Sequence, residues 1–186
     1  MIINNKTIIK DNDKLIRTKS EDVSLPLSPE DKQLLLDMHK YVYDSTIDEI
    51  AQIEDLRPAV GISAIQVGVA KKMTSIIIKD EEGKVLIEYA LVNPKIISSS
   101  VEKAYLKAGE GCLSVDEQHQ GYVYRSARCK VKAYDLITDK DIIINASGYL
   151  AIVLQHELDH FKGILFYDHI NKTKPFYEDP EAICIE

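Results

Sequence analysis

The chain has 186 residues, of which 45% are hydrophobic and 28% are charged. This length and composition predict one soluble globular domain, residues 1–186, with enough apolar side chains to bury a core. The net charge of −7 argues against direct nucleic-acid binding over the whole surface, because such binding needs clustered lysines and arginines.

Two further features bear on where the protein works. The N-terminus lacks the basic and apolar segments of a signal peptide, and no apolar run is long enough to cross a bilayer. The cysteines Cys112, Cys129 and Cys184 are too few and too widely spaced for a disulfide framework. We therefore expect a cytoplasmic protein without a membrane partner, in which a thiol is available as a metal ligand.

A helix is the first regular element that the sequence predicts. Ser28 can cap it, Pro29 suits the first turn, and the acids that follow favour the positive end of the helix dipole. Apolar side chains recur at helical spacing and predict one buried face, made of Leu34, Leu35, Met38, Tyr41 and Val42. Residues 48–57 are predicted as a polar connection or a short helical piece.

Four β-branched runs predict strands: Thr74 to Ile78, Val85 to Val92, Lys130 to Tyr134 and Asp141 to Ile144. Asn93-Pro94 is expected to end the second strand, because proline has no N–H for the ladder. A buried central helix is predicted over residues 149–161, and the apolar residues 182–185 predict an edge strand. The predicted fold class is α+β, with mostly antiparallel sheets packed around a central helix.

The central helix carries the sequence His156-Glu157-Leu158-Asp159-His160. Residues four apart share a helix face, so His156 and His160 present both imidazoles on the same side. Two imidazoles are good ligands for a divalent transition metal, and Glu157 beside them can act as a general base. This pattern predicts most of a hydrolytic metal site, and the third ligand decides which kind.

Several residues qualify as the third ligand. Phe166 occupies the position where the long metalloprotease motif has its last histidine. Glu178 and Glu181 are alternatives in a polar tail, and either would give a zinc metalloprotease. Cys112 is the stronger candidate, because one thiolate with two imidazoles leaves a position open for water. The residues alone leave these alternatives open.

Three segments together resemble the peptide deformylase family. They are Ala59-Val60-Gly61-Ile62-Ser63-Ala64-Ile65-Gln66, Glu110-Gly111-Cys112-Leu113-Ser114 and Gln155-His156-Glu157-Leu158-Asp159-His160. They occur in the order that the family has, and the resemblance extends over about residues 55 to 170. The apolar C-terminus and the long segment before Glu110 are more similar to the type 2 branch of the family.

The resemblance implies an α+β enzyme that removes the N-formyl group from the formyl-methionine of newly made proteins and releases formate. It implies three metal ligands, Cys112, His156 and His160. Glu157 would take the proton of a metal-activated water and pass it to the leaving amine. The side chain of Gln66 and the backbone N–H of Leu113 would stabilise the oxyanion.

The resemblance also implies how substrate binds. The backbone of Val60, Gly61 and Gly111 would pair with an extended peptide like an added strand. An apolar pocket for the methionine side chain would be lined by Val60, Tyr149, Ile152 and Val153. Beside the ligands, Glu110 would be held by Arg125, and Asp159 would orient a neighbouring group.

The implied cofactor is one Fe(II) per chain, with zinc, nickel or cobalt possible in preparations. The implied partners are formyl-methionyl nascent polypeptides and, transiently, the ribosome. Ala59 and Ile65 depart from the family motif, which has glycine and proline there, and alanine would be strained if position 59 required a positive φ. An inactive peptide-binding homologue and a structural zinc protein are weaker alternatives, because Glu157 is present and structural sites use four ligands.

Overall fold

The computed structural model describes all 186 residues and contains three α-helices. They are α1 (Pro29–Asp44), α2 (Asp48–Glu54) and α3 (Gly148–His160). Short 3-10 helices lie at Lys14–Arg17, Ala64–Val67 and Phe166–His169. Every helix is too short or too polar to cross a bilayer.

Eight strands form two sheets: β1 (Gly61–Ser63), β2 (Met73–Lys79), β3 (Val85–Ser99), β4 (Lys103–Leu106), β5 (Arg125–Ser126), β6 (Arg128–Asp135), β7 (Lys140–Ser147) and β8 (Ile183–Ile185). The larger sheet has the order β1-β2-β3-β6-β7 and is antiparallel throughout. The smaller sheet has the order β5-β4-β8, in which β4 and β8 are parallel. The prediction of an α+β fold with mostly antiparallel sheets is confirmed, as is the C-terminal edge strand.

The strand β3 corrects one expectation. Asn93-Pro94 does not end the strand, which continues to Ser99. Between Val92 and Lys95 the pairing with β6 shifts register, so that one extra residue is accommodated on β3. Asn93 has a positive φ of 51° at this bulge. Pro94 is tolerated because a bulge leaves a residue outside the ladder, where no N–H is required.

The helix α1 begins and packs as its sequence predicts. The Ser28 hydroxyl accepts a hydrogen bond from the Asp31 N–H at 3.1 Å, which caps the first turn. The five apolar residues predicted for one face are all buried: Leu34, Leu35, Met38, Tyr41 and Val42. They belong to the larger core cluster, and the helix lies against β2.

The helix α3 lies between the two sheets. It contacts β1 and β7 of the larger sheet and β4 and β5 of the smaller one. Ala151 and Leu154 are fully buried, and the histidine motif occupies the last two turns. The predicted central position of this helix is confirmed, and the fold therefore holds its two histidines rigidly inside the molecule.

Candidate metal centre and active site

Three side chains from two distant segments of the chain meet at the centre of the molecule. His156 and His160 project from the last turns of α3, and Cys112 lies in the segment between β4 and β5. One ligand atom from each lies within 4.8 Å of the others, and Cys112 Sγ is 3.4 Å from His160 Nε2. One sulfur and two imidazoles are donors that suit a divalent transition metal, so this group fits one.

The electrostatics of the group favour a metal cation. Burial by itself would raise the pKa of the Cys112 thiol, but His160 and His156 outweigh it and lower the pKa to about 6. The thiolate therefore predominates at neutral pH, and the thiolate is the form that binds metal. Burial alone would lower the pKa of His156, but the hydrogen bonds that its ring donates to Cys112 and Glu110 raise the pKa to about 10. The anionic groups around the ring thus favour a cation at this place, and a metal would replace the imidazole proton.

A chain of buried polar contacts orients His156. Its Nδ1 lies 2.8 Å from Glu110 Oε2, which leaves Nε2 for a metal. Arg125 donates to both Glu110 oxygens, at 2.6 and 2.9 Å, and to Asp159 Oδ2 at 2.9 Å. His169 Nε2 lies 2.7 Å from the same Asp159 oxygen. The expected contact between Glu110 and Arg125 is therefore present, and Asp159 orients Arg125 and His169.

The side chain of Glu157, next to His156 on α3, is buried. Its Oε2 accepts hydrogen bonds from Ser63 Oγ at 2.7 Å and Thr74 Oγ1 at 3.4 Å. A Cβ atom on Gly61 would lie only 2.5 Å from Glu157 Oε1. The backbone of Gly61 thus lies very close to this carboxylate. Of the two carboxylate oxygens, Oε1 is the one without a hydroxyl partner.

Two hydrogen-bond donors border the metal group. Gln66 Oε1 accepts from the Ser63 N–H at 2.8 Å, which fixes the amide so that Nε2 points the other way. That Nε2 lies 3.2 Å from Ser114 Oγ and 3.5 Å from Cys112 Sγ. The backbone N–H of Leu113 donates no hydrogen bond within the chain.

A cavity of about 430 Å³ opens beside these groups. All six residues expected to bind substrate line it: Val60, Gly61, Gly111, Tyr149, Ile152 and Val153. Gln66, Cys112, Leu113, His156 and Glu157 also line it, whereas His160 and Arg125 lie buried behind the wall. The structure therefore brings together every residue that the motifs pointed to.

The sequence reasoning missed several residues around the cavity. Ser63 and Ser114 lie inside the quoted motifs, but nothing in the sequence shows that they bind Glu157 and Gln66. Arg57 and Leu106 line the cavity from positions outside the motifs. Arg57 lies directly before Pro58 and the first motif, and this position is the one sequence signal that could have indicated it.

Ala59 and Ile65, the two departures from the family motif, both lie in ordinary surroundings. Ala59 does not have a positive φ, so alanine at this position is unstrained. Ile65 is fully buried and packs in the cluster that contains Cys112.

The alternative third ligands, Glu178 and Glu181, are exposed, and neither belongs to the group that could hold a metal. Glu178 instead accepts a hydrogen bond from the Tyr122 hydroxyl at 3.4 Å.

A buried thiolate and two imidazoles, with a carboxylate beside them and a cavity in front, form the arrangement of a metallohydrolase. The sequence model of the polypeptide deformylase family matches residues 5–176. The chain is 47% identical to "Peptide deformylase 2" of Bacillus subtilis over 185 residues, which is 100% of both chains. It is 47% identical to a peptide deformylase of Oceanobacillus iheyensis over 94% of both chains.

Solved structures agree with the sequence comparison. A peptide deformylase from Ehrlichia chaffeensis in complex with actinonin has a TM-score of 0.71 and 33% identity, covering 94% of this chain and 92% of that one. The enzyme from Thermus thermophilus has a TM-score of 0.70 and 26% identity, covering 91% and 88%. The chain belongs to the peptide deformylase family. This is a family of metal-dependent hydrolases, so the chain is an enzyme, and its C-terminal strand agrees with the expected type 2-like branch.

Proposed function

We propose that this chain is one catalytic domain, residues 1–186, that removes the formyl group from the N-terminal formyl-methionine of newly made polypeptides and releases formate. One observation carries the proposal. Three possible ligand atoms lie within 4.8 Å of one another in the family's motif positions, and two of the residues that carry them, Cys112 and His156, line a cavity that Glu157 also lines. The family membership supports the same substrate class.

The proposed metal is Fe(II), one per chain, held by Cys112, His156 and His160. A metal bound there supplies Lewis-acid chemistry, which makes water nucleophilic at neutral pH and polarises the formyl oxygen. The donor set also suits zinc, and nickel or cobalt would fit it in preparations. Metal analysis of protein purified without oxygen tests the iron, and zinc as the sole metal in active protein would contradict it.

Glu157 is proposed as the general base and then the general acid. Ser63 and Thr74 hold Oε2, so the carboxylate is fixed in orientation while Oε1 remains available for the proton. Glu157 would accept the proton of the attacking water and deliver it to the amine that leaves. A positioned carboxylate of this kind typically contributes about 100- to 10,000-fold to the rate.

Gln66 and Leu113 are proposed to stabilise the negative oxygen that develops on the formyl group. Hydrolysis of an amide passes through a tetrahedral oxyanion, which needs donors that are already in place. Ser63 fixes the Gln66 amide, and the Leu113 N–H has no partner in the chain. Both groups line the cavity beside Cys112, which supports this assignment.

The polypeptide is proposed to bind along β1. This strand lies at the edge of the larger sheet and pairs with β2 alone, so its other edge can receive an extended peptide. Val60 and Gly61 on this side and Gly111 across the cavity would make the backbone contacts. The methionine side chain would occupy the apolar part of the cavity, formed by Val60, Tyr149, Ile152 and Val153.

The substrate class also implies where the protein works. Nascent chains that begin with formyl-methionine are made in the cytoplasm of bacteria, and we propose that the protein meets them there in transient association with the ribosome. Co-sedimentation with translating ribosomes tests this association. Recovery of the protein only in the ribosome-free fraction would contradict it.

The function is tested by formate release from a formyl-Met tripeptide. We expect the wild-type protein to release formate, and the Glu157→Gln variant to keep its metal but lose about 100- to 10,000-fold in kcat. Glu181→Gln, which changes an exposed glutamate in the same way, is the matched control. A Glu157→Gln variant with wild-type kcat would remove Glu157 as the base, and wild-type protein without formate release would overturn the function.

A further inference from the structure

The peptide group between Cys112 and Leu113 has both of its polar atoms in defined positions. Its N–H belongs to Leu113 and is the proposed oxyanion donor. Its carbonyl oxygen belongs to Cys112 and accepts a hydrogen bond from Arg57 Nη2. The same nitrogen donates to the Val115 carbonyl at 3.0 Å, and Nη1 donates to Asp116 Oδ1 at 2.8 Å. One guanidinium therefore holds three points of the segment that carries the thiol ligand.

Lys10 contacts the same segment from the N-terminal part of the chain. Its Nζ donates to the Leu113 carbonyl at 3.0 Å and to Asp116 Oδ1 at 2.8 Å. Asp116 thus accepts hydrogen bonds from both cations and keeps them together. The carbonyl groups on both sides of the Leu113 N–H are consequently bound to positive charge.

This arrangement affects the direction of the Leu113 N–H. A peptide group is planar, so a hydrogen bond that fixes the carbonyl oxygen also fixes the direction in which the N–H points. Leu113 lies in a loop, where no regular backbone hydrogen bonds of a helix or sheet fix the direction of the peptide group. The contact from Arg57 therefore provides orientation that the local backbone does not.

The positive charge also affects the strength of the donor. A cation at the carbonyl oxygen draws electron density from the amide and makes its N–H a stronger hydrogen-bond donor. The effect is larger near a partly buried site than in water, because the local dielectric is lower. Leu113 is buried, and the side chain of Arg57 is about two-thirds buried, with 36% exposed.

We propose that Arg57 is a positioning residue, which orients and polarises the Cys112–Leu113 peptide so that the Leu113 N–H stabilises the oxyanion. The inference rests on the proposed function. Arginine suits this role because its planar fork reaches three acceptors at once. Lysine has a single flexible ammonium group and would reach fewer of them.

The competing explanation is that Arg57 binds the substrate, since it lines the cavity. A contact made equally to substrate and transition state changes KM and leaves kcat unchanged. A group that acts through an oxyanion donor changes kcat, because the donor matters most when the charge develops. The split between KM and kcat therefore separates the two roles.

The test compares wild-type, Arg57→Gln and Arg57→Lys proteins, each with its metal determined and with kcat and KM for formyl-Met tripeptide measured per bound metal. We expect Arg57→Gln to lower kcat by about 10-fold or more, part of the roughly 100- to 1000-fold that loss of such a donor causes. KM should change little, and Arg57→Lys should recover part of kcat. Arg128→Gln is the control, because Arg128 pairs with Glu102 on the surface, at 2.7 Å.

Each result decides the inference. A lower kcat per metal with unchanged KM supports it. Unchanged kcat, a change confined to KM, or a loss of metal with normal kcat per metal overturns it. If Arg57→Gln does not fold, Arg57→Lys supports the same measurement with the charge retained. Absence of formate release from the wild type would instead contradict the proposed function, so the two failures are distinguishable.

Discussion

Gly61 matters because of the carboxylate beside it. Its backbone approaches Glu157 so closely that an added Cβ would lie 2.5 Å from Oε1 and 2.9 Å from the carboxyl carbon. Contacts this short do not occur without movement, and Ser63 and Thr74 hold the carboxylate on the other side. Glycine at position 61 therefore leaves room for the Glu157 carboxylate.

Gly61→Ala is expected to displace Glu157 and to lower kcat by on the order of 10- to 100-fold, because a misplacement of about 1 Å in a catalytic group has an effect of that size. The metal content should stay unchanged, since the three ligands are not touched. Gly83→Ala is the control, as no atom lies within 4 Å of its added Cβ. Wild-type kcat in Gly61→Ala would mean that the carboxylate is not confined there.

The sequence pointed to the three possible ligands, which the structure brings together, and to Glu157 as the proposed base, but not to the hydroxyl groups that hold Glu157. Spacing on a helix is enough to place His156 and His160 together, whereas the partners of Glu157 depend on how β1 and β2 pack against α3. Ser63 and Thr74 belong to those strands. Hydrogen bonds between elements depend on tertiary packing, which the spacing of residues in the sequence does not reveal.

Among the elements, β5 and α3 are joined by Arg125. Its guanidinium bridges Glu110, in the segment before Cys112, and Asp159 on α3, and all three side chains are at most 10% exposed. Burial by itself would raise the pKa of both carboxyl groups. Hydrogen bonds from His156 and Arg125 to Glu110, and from His169 and Arg125 to Asp159, outweigh it and lower both pKa values.

Arg125→Leu should therefore destabilise the fold strongly, because it removes the buried guanidinium that binds both carboxylates. We expect a loss of about 3–5 kcal/mol in the free energy of unfolding, measured by urea denaturation at neutral pH. Arg128→Leu, which removes an exposed pair, should lose less than about 1 kcal/mol. Similar losses in the two variants would show that the buried ion pairs of Arg125 stabilise the fold no more than the exposed pair of Arg128 does.

The same bridge gives stability a pH dependence of defined sign. A carboxyl group whose pKa is lower in the folded chain stabilises it above the unfolded value, near 4, and this contribution is lost as the pH falls. In Arg125→Leu the folded pKa values should rise instead. The difference in unfolding free energy between wild type and Arg125→Leu should consequently narrow as the pH is lowered through about 4. A difference that stays constant or widens would contradict this assignment.

The elements that the sequence missed share a physical reason. β1, β4 and β5 have three, four and two residues, which is too short for alternation of apolar and polar side chains to be recognised. The continuation of β3 past Pro94 was also missed, because a bulge depends on the partner strand. The longer strands and α1 and α3 were predicted because their periodicity extends over enough residues.

Across the whole chain, the site depends on contacts between segments that are far apart in sequence. Lys10 and Leu113 lie 103 residues apart, and Cys112 and His160 lie 48 apart. The α3 helix, held between two sheets, supplies two possible ligands and the carboxylate. A loop supplies the thiol and the Leu113 N–H, and the 3-10 helix Ala64–Val67 supplies Gln66. The fold was predicted in class and the metal group in composition, and the family resemblance also implied the pocket residues and the contact between Glu110 and Arg125. The contacts of Ser63 and Thr74 with Glu157, and those of Arg57 with the Cys112 segment, were not predicted, because they arise only when these segments pack together.

The central claim is that Cys112, His156 and His160 hold a catalytic metal for deformylation. It is tested most directly by measuring metal content and formate release together, without oxygen, in wild-type and Cys112→Ala proteins. We predict about one metal per chain and formate release in the wild type, and loss of both in Cys112→Ala, because two imidazoles alone do not complete the site. Retention of metal and formate release by Cys112→Ala would contradict the account and would direct attention to another third ligand.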